Sequence, residues 1–402
     1  MKVCYIYQDK YPWDVRVEKI MDSLVNNGIE GHILSKNQGL LPEKEKLKEN
    51  LFVHRLPSFS NNWLNSVINF PAFFSPFWIW KIYQLVKEIK ADLVIIRDLP
   101  LAPTALLVGR LYGCPVLMDM AENYPAMISD TWRYRGPNRV DYLVRNPSIL
   151  RFMEKLVVPH MDGILTVSEH SKERVEMLGV ESSKIWVVSN TPKLDCFSST
   201  NNLDILRDEI RKNSSFILTY VGGMEESRGL DMVIRALVEV QKIISDVKFV
   251  IVGTGTSETK LRALTKELGV QDHVFFTGWM DNCYVPSIIK LSDVCIVPHY
   301  VTEHTDTTVP NKIFDYMIQK KPVVATNSKA LSEIVCSSNC GKIYVHDNWK
   351  DLAKKIVELK TPSVRRNYGT NGYKSVLNRY NWSIDEKNLF WAVNTLSSLR
   401  YK

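Results

Sequence analysis

The strongest constraint on this chain is an alternation that runs almost from end to end: a short apolar run, a turn, an amphipathic stretch, then another apolar run. Apolar runs separated by helical patterns imply parallel sheets covered by helices. In the first half the strand candidates are VCYIY (3–7), GHIL (31–34), FVHRL (52–56), DLVII (92–96), PVLMD (115–119), GILTV (163–167) and IWVVS (185–189). Helical patterns such as Val15 to Asn27 and Glu169 to Leu178 separate most of them, with Gly28 and Gly179 as natural stops. After SNTPK (189–193) and a polar stretch from Ser198 to Asn202 the pattern restarts. Its strands are FILTYVG (216–222), VKFVIVG (247–253), HVFFTG (273–278), DVCIVP (293–298), PVVAT (322–326) and KIYVH (342–346). From Trp349 onward only helical material follows. A chain of 402 residues is too long for one ordinary core. The reading is two α/β domains, residues 1–190 and 191–380, with a hinge near Asn190 to Asp195. Two open parallel sheets facing each other would put a cleft where the C-terminal ends of their strands meet.

Composition narrows the partners. A net charge of +7 is too thinly spread to argue for nucleic acid, and 45% hydrophobic with 24% charged residues is the balance of a globular chain. Strand-like KVCYIY follows Met1 where a secretory leader would place a charged segment and a long apolar run. The seven cysteines (Cys4, Cys114, Cys196, Cys283, Cys295, Cys336, Cys340) lie mostly in apolar runs, which points to buried thiols in a reducing compartment. Cys336 and Cys340 are the closest pair, and no second pair or histidine cluster completes a zinc site. The expectation is a cytoplasmic protein that binds no metal.

Two segments add a membrane surface to that expectation. FSNNWLNSVINFPAFFSPFWIWKIY (59–83) is apolar but broken by Pro71, Pro76, Asn61, Asn62, Asn65 and Asn69, so it does not read as a spanning helix. Its Trp63, Trp78, Trp80 and Tyr83 are residue types that settle at a membrane–water boundary. Further on, Arg133, Arg135, Arg139, Arg145, Arg151 and Lys155 are offset only by Asp141 and Glu154. Separately these are a core face and a solvated face; together they support shallow attachment to an anionic inner leaflet.

VPNKIFDYMIQKKPVVA (309–325) reads as a helix with an anion-friendly mouth, followed by a buried strand. Pro310 suits a first turn, and Asn311 and Lys312 sit where open amides and the helix dipole attract phosphate. Asp315, one turn on, shares that face, while Ile313, Phe314, Met317 and Ile318 supply the packing. A cation for a diphosphate with a carboxylate for a sugar's vicinal hydroxyls is the chemistry of holding a nucleotide. YVGGMEESRGLDMVIRAL (220–237) is a strand, a turn at Gly222 and Gly223, and a helix with Arg228-Gly229 at its entrance. The glycines admit an anion close to the backbone and Arg228 can pair with a phosphate. VIVGTGTSETKLRAL (250–264) repeats the form around Gly253 but lacks the third glycine of a dinucleotide fingerprint, and no GxxxxGK loop is present. EHTDTTVPNK (303–312) brings His304, Thr307 and Thr308 up to the same helix.

In the first half, QDKYPWDVRVEKIMDSLVNNG (8–28) puts Asp14 and Arg16 in the first strand-to-helix turn. IIRDLPLAPTA (95–105) and VLMDMAENYPAM (116–127) put Arg97, Asp98, Asp119, Glu122 and Asn123 just past strand ends, as candidates for acceptor binding or proton handling. As helix caps or loop ion pairs the same residues would be ordinary structure.

Taken in order, these stretches resemble a retaining glycosyltransferase of family 4, with the GT-B fold of two Rossmann-like domains facing a central cleft. The match runs through most of the chain, from YPWDVRVEKIMDSLVNNG to VPNKIFDYMIQKKPVVA. The resemblance implies a UDP- or GDP-sugar donor in the second domain and a glycan or polyprenyl-linked acceptor in the first. It also implies a final helix near Asn381 to Leu399, within residues 381–402, returning to the first domain. The reaction would be metal-independent hexosyl transfer with retention, without a cofactor, in the synthesis of capsule, O-antigen or exopolysaccharide. Asp315 falls where the family's second glutamate of an E-x7-E motif holds the ribose, and Arg228 where a Lys-Gly pair contacts the diphosphate. Lys312 belongs to a Pro-Asn-Lys variant and faces phosphate, with the amides from Pro310 to Ile313. Arg228 and Lys312 would stabilise the leaving group, and Glu122 and Asp98 would serve the acceptor. The chain departs from the pattern at three places: Thr307 for the first glutamate, Gly222-Gly223 for Gly-Arg, and Ala121-Glu122 for His-Glu. A sugar-nucleotide epimerase or phosphorylase on the same fold, and a nucleotide-sugar-binding partner without chemistry, are the competing readings.

Overall fold

The computed structural model describes residues 1–12, 14–37, 41–59, 70, 73–139, 141–194, 208, 210–211 and 214–398. Trp63 with Asn61, Asn62, Asn65 and Asn69, Pro71, Asp195, Cys196, the stretch Ser198 to Asn202, and Leu399 lie outside those residues. Contacts divide the chain into two compact units, Met1–Asn190 with Asp385–Lys402, and Thr191–Ile384.

The N-terminal unit is built on β1 (Lys2–Lys10), β2 (Glu30–Lys36), β3 (Lys44–Lys48), β4 (Leu51–Arg55), β5 (Leu93–Arg97), β6 (Val116–Asp119), β7 (Gly163–Thr166) and β8 (Ile185–Val187). They form one sheet in the order β3-β4-β2-β1-β5-β6-β7-β8. Seven of these eight are the apolar runs seen in the sequence. The exception is β3, KEKLK, which pairs antiparallel to β4 at the edge of an otherwise parallel sheet. At the sheet edge it needs no apolar run, and lysines are a common edge device. Central β1 and β5 place Cys4, Ile6, Val94 and Ile96 in a core shared with Trp78, Ile82 and Val86 of the Pro76–Ile89 helix. Trp78 is fully buried there, which removes it from any membrane boundary; Trp80 and Tyr83 on the same helix stay exposed.

The C-terminal unit carries β9 (Phe216–Val221), β10 (Val247–Val252), β11 (Val274–Gly278), β12 (Val294–Val297), β13 (Val323–Thr326) and β14 (Gly341–Tyr344). The order is β11-β10-β9-β12-β13-β14, with every neighbouring pair parallel. Three helices follow, Trp349–Glu358, Pro362–Asn378 and Trp382–Ser397. Asp385 on the last accepts from Ser189 N at 3.1 Å and Asn388 donates to Val187 O at 2.9 Å. The six described cysteines are free thiols; Cys4, Cys114, Cys295 and Cys340 are buried, and Cys283 and Cys336 are exposed.

Candidate functional site

In the C-terminal unit the strand order reverses at β9, with β10 on one side and β12 on the other, the place where open α/β sheets take ligands. Past β9 runs the Gly222-Gly223 turn, and past β12 comes Pro298-His299-Tyr300. Gly229 lets these two strand ends close on each other. Its φ is 63°, and an added Cβ would stand 2.1 Å from Pro298 O, so no side chain fits. Tyr300 N then donates to Ser227 O at 3.1 Å, and Arg228 Nη1 comes to 3.4 Å from His299 Nδ1. Among the described residues no carboxylate pairs with Arg228.

Lys312 enters from the first residue of the Lys312–Ile318 helix. Its Nζ lies 3.9 Å from the Tyr220 ring centre, and the Tyr220 hydroxyl is fixed by donating to Gly223 O at 2.8 Å. An added Cβ on Gly222, at φ 134°, would come 2.7 Å from that Nζ. Burial and then Arg228 pull the Lys312 ammonium well below the usual lysine range, with Asp315 pulling the other way. His299 is buried, and burial, then Lys312, Arg228 and His304, hold its imidazole well below the ordinary histidine range. It is therefore neutral, and its Nε2 has no partner among the described residues. Two basic groups and a neutral imidazole crowd together here with no carboxylate paired to either among the described residues, a setting that favours an arriving anion.

The other donor-side residues divide. Pro310 has no N–H, and Ile313 N is spent on Pro310 O at 3.1 Å. This corrects the run of amides expected from Pro310 to Ile313: only those of Asn311 and Lys312 lack an acceptor among the described residues. Thr307 and Thr308 donate their hydroxyl protons to His304 O at 3.0 and 2.9 Å. Gly253 packs: its N–H donates to Gly278 O at 2.9 Å, and an added Cβ would meet Gly222 O at 2.3 Å. Gly223 is exposed with open space beside it. His299 was not singled out in the sequence. It follows DVCIVP by one residue, so the strand-end logic applied to Asp98 and Asp119 would have found it.

In the N-terminal unit all seven named residues gather past the ends of β1, β5 and β6. Asp119 is fully buried and accepts from Tyr5 Oη (2.6 Å), Arg16 Nε (2.9 Å) and Nη2 (2.6 Å), and Arg97 Nη1 (3.4 Å). Arg16 Nη1 donates to Val188 O at 2.7 Å. Asp14 caps the Val15–Asn26 helix, accepting from the amides of Arg16 and Val17 at 2.9 Å. Asn123, also buried, caps the Tyr124–Arg135 helix by accepting from Ala126 N at 3.3 Å. Arg16, Asp119 and Asn123 are thus interior fasteners, which corrects their reading as cleft-lining groups.

Arg97, Asp98 and Glu122 remain. Asp98 sits at φ 55°, in the left-handed region that side chains avoid and that clusters at functional sites. Its Oδ1 accepts from the amides of Ala121 (3.0 Å) and Glu122 (3.3 Å), and its Oδ2 from Arg97 Nε (3.1 Å). Burial lifts its carboxyl to about 6, against the pull of Arg97 and with the push of Asp119 and Glu122. For Asp119 the outcome is opposite: burial would raise it, but Arg16 and Arg97 outweigh that and hold it low.

Residues 14–191 match the glycosyl transferase 4-like domain, and residues 203–375 match glycosyl transferases group 1. The chain belongs to the family 4-like GT-B glycosyltransferases. This glycosyltransferase is 20% identical to the alpha-D-kanosaminyltransferase of Streptomyces kanamyceticus over 270 residues, 66% of each chain. It is 24% identical to CapM of Staphylococcus aureus, a capsular polysaccharide biosynthesis glycosyltransferase, over 61% of its own length and 65% of CapM. Each match therefore spans about two thirds of the relative. Among solved structures, sucrose-phosphate synthase from Thermosynechococcus elongatus aligns over 99% of both chains with a TM-score of 0.79 at 14% identity. Anabaena HepE in complex with UDP-glucose aligns over 98% of this chain and 100% of its own, with a TM-score of 0.72 at 14% identity. Both likenesses are of fold.

Proposed function

We propose that the chain moves a hexose, with retention, from a UDP- or GDP-sugar to a glycan or lipid-linked acceptor in cell-surface polysaccharide synthesis. The observation that carries this is the pair Arg228 and Lys312 beside a neutral His299, with no carboxylate paired to either among the described residues. A nucleoside diphosphate supplies the missing negative charge, and its charge grows as the sugar departs. Fixed donors aimed at such a charge are each worth roughly 3–4 kcal/mol when removed in comparable sites. Asp315, on the helix of Lys312, suits the ribose hydroxyls, and His304, Thr307 and Thr308 are assigned to the sugar.

HepE, solved with UDP-glucose, supports a uridine donor, and CapM supports a place in capsule-type polysaccharide. Because protein cations meet the leaving group, the reaction is read as independent of metal and cofactor; chelator added to the assay leaves turnover unchanged on this reading. The acceptor is assigned to the N-terminal unit, where Asp98 and Glu122 orient its hydroxyl, and the departing phosphate takes the proton. No helix among the described residues is long and apolar enough to cross a membrane. Peripheral contact with the inner face of the cell membrane is supported by the Pro147–Val157 helix. It turns Ile149, Phe152 and Leu156 outward between Arg151 and Lys155, while its Glu154 is neutralised by Arg174 at 2.8 Å.

Thermal-shift measurements with UDP, GDP, ADP and CMP sugars test the donor assignment. A ligand at about 100 times its Kd stabilises by roughly 2.7 kcal/mol, enough to move Tm visibly. A flat response to all of them removes the proposal.

A further inference from the structure

The N-terminal unit contains a cavity of about 490 Å³ at the C-terminal ends of β1 and β2, a size within the roughly 300–1,000 Å³ of ligand sites. One wall is apolar: Phe73, Met127, Ile128, Ile149 and Leu150. Lys36, at the end of β2, and Arg145, between two short helices, also line the cavity. Neither side chain has a hydrogen-bond or ion-pair partner among the described residues. Asp9, exposed at the end of β1, is the carboxylate that shares the wall, so the lining keeps one net positive charge. Gln8, which also lines the cavity, holds a buried Oε1 without a partner among the described residues.

More than half of the lining is apolar, and its charge is cationic on balance, with Lys36 and Arg145 set against Asp9. We propose that the cavity holds the carrier end of the acceptor: an aliphatic chain along the apolar wall, with a phosphate or diphosphate between Lys36 and Arg145. The acceptor role rests on the reading of the chain as a sugar-nucleotide-dependent transferase; the binding of such an amphiphile does not. Tyr124 sets the orientation. It lines the cavity two residues after Glu122, and Pro100, which also lines it, comes two residues after Asp98. The group carried by the phosphate is therefore directed toward Asp98 and Glu122. Ile149 belongs to the cavity wall and is also exposed on the outward stripe of the Pro147–Val157 helix, which gives an aliphatic chain a continuous apolar path.

The test uses the full chain with UDP saturating, and three probes: geranylgeranyl diphosphate below its micelle concentration, geranylgeraniol, and inorganic pyrophosphate. The expected order is tightest binding for the diphosphate lipid, at least tenfold above either fragment. Lys36→Gln and Arg145→Gln each lose about fivefold or more for that lipid and nothing for the alcohol; Ile149→Gln weakens lipid and alcohol alike. All three variants keep the wild-type affinity for UDP, which reports intact folding. Equal binding of pyrophosphate means a free-anion site, equal binding of the alcohol means an apolar pocket only, and displacement by UDP means the donor site; each overturns the proposal. Unchanged lipid affinity in both charge variants does the same. If UDP and every nucleotide sugar fail to bind while the lipid diphosphate binds as expected, the cavity assignment stands and the transferase reading falls.

Discussion

Gly222 has no side chain because Lys312 fills the space where one would go. An alanine there would collide with the ammonium and would also have to hold φ 134°. Gly222→Ala is expected to weaken UDP binding at least tenfold by calorimetry, and unchanged affinity would mean that Lys312 does not touch the ligand. The depressed ammonium gives a second handle. An anion beside Lys312 and His299 raises both, so the bound form holds more protons than the free form. UDP binding should therefore take up protons, and affinity should fall as pH rises through the window between the free and bound values. Titration at mildly alkaline pH in buffers of different ionisation enthalpy measures the uptake; identical heats in all buffers would contradict it. At this scale the sequence was half legible. Arg228 and Lys312 could be found because a cation at a helix entrance has a recognisable address. The fate of Arg16 could not, because its partner Asp119 lies 103 residues away and only the sheet brings them together.

Elements were the most legible level. Among the described residues thirteen of the fourteen strands are mainly apolar runs of the right length, most of them because a strand buried on both faces must be apolar throughout. The missing one, β3, obeys the opposite rule of a solvated edge. Trp78 shows a different limit: composition marks an aromatic helix, but only packing decides which ring goes inward. The joint between elements is where energy is concentrated. Asp119 ties β1 through Tyr5, the first helix through Arg16, and β5 through Arg97. Asp119→Asn leaves Arg16 buried without its counter-charge, a loss of roughly 3–5 kcal/mol in comparable pairs. Urea unfolding followed in the N-terminal unit should show it, and a midpoint within error of wild type would show that the network is dispensable.

The whole molecule closes two cores, each with its own sheet. UDP is assigned to one of them and the Asp119 network to the other. In calorimetry UDP should raise the transition of the C-terminal unit, and Asp119→Asn should lower that of the N-terminal unit. A single transition that moves as one under both would refute this division. The two-domain plan was readable because the alternation stops at a polar junction and restarts. The cavity of the N-terminal unit was not, since its wall draws on β1, β2, the loop after β5 and the helices after β6.

The eight-stranded sheet ends differently on its two sides. The β8 edge has polar groups engaged by Asp385 and Asn388 of the last helix. At the β3 edge no further strand pairs among the described residues, and what guards it is charge: Lys44, Lys46 and Lys48 are all exposed, Lys44 paired with Glu88 and Lys48 with Asp22. That edge is a template for another chain, held in check by the cost of stacking lysine against lysine. Replacing Lys46 and Lys48 with valine should leave the monomer folded and active but make it gather into oligomers by edge-to-edge strand addition as its concentration rises, visible as growing light scattering without loss of secondary structure. The three lysines that made this strand hard to read are what keep the enzyme from recruiting copies of itself.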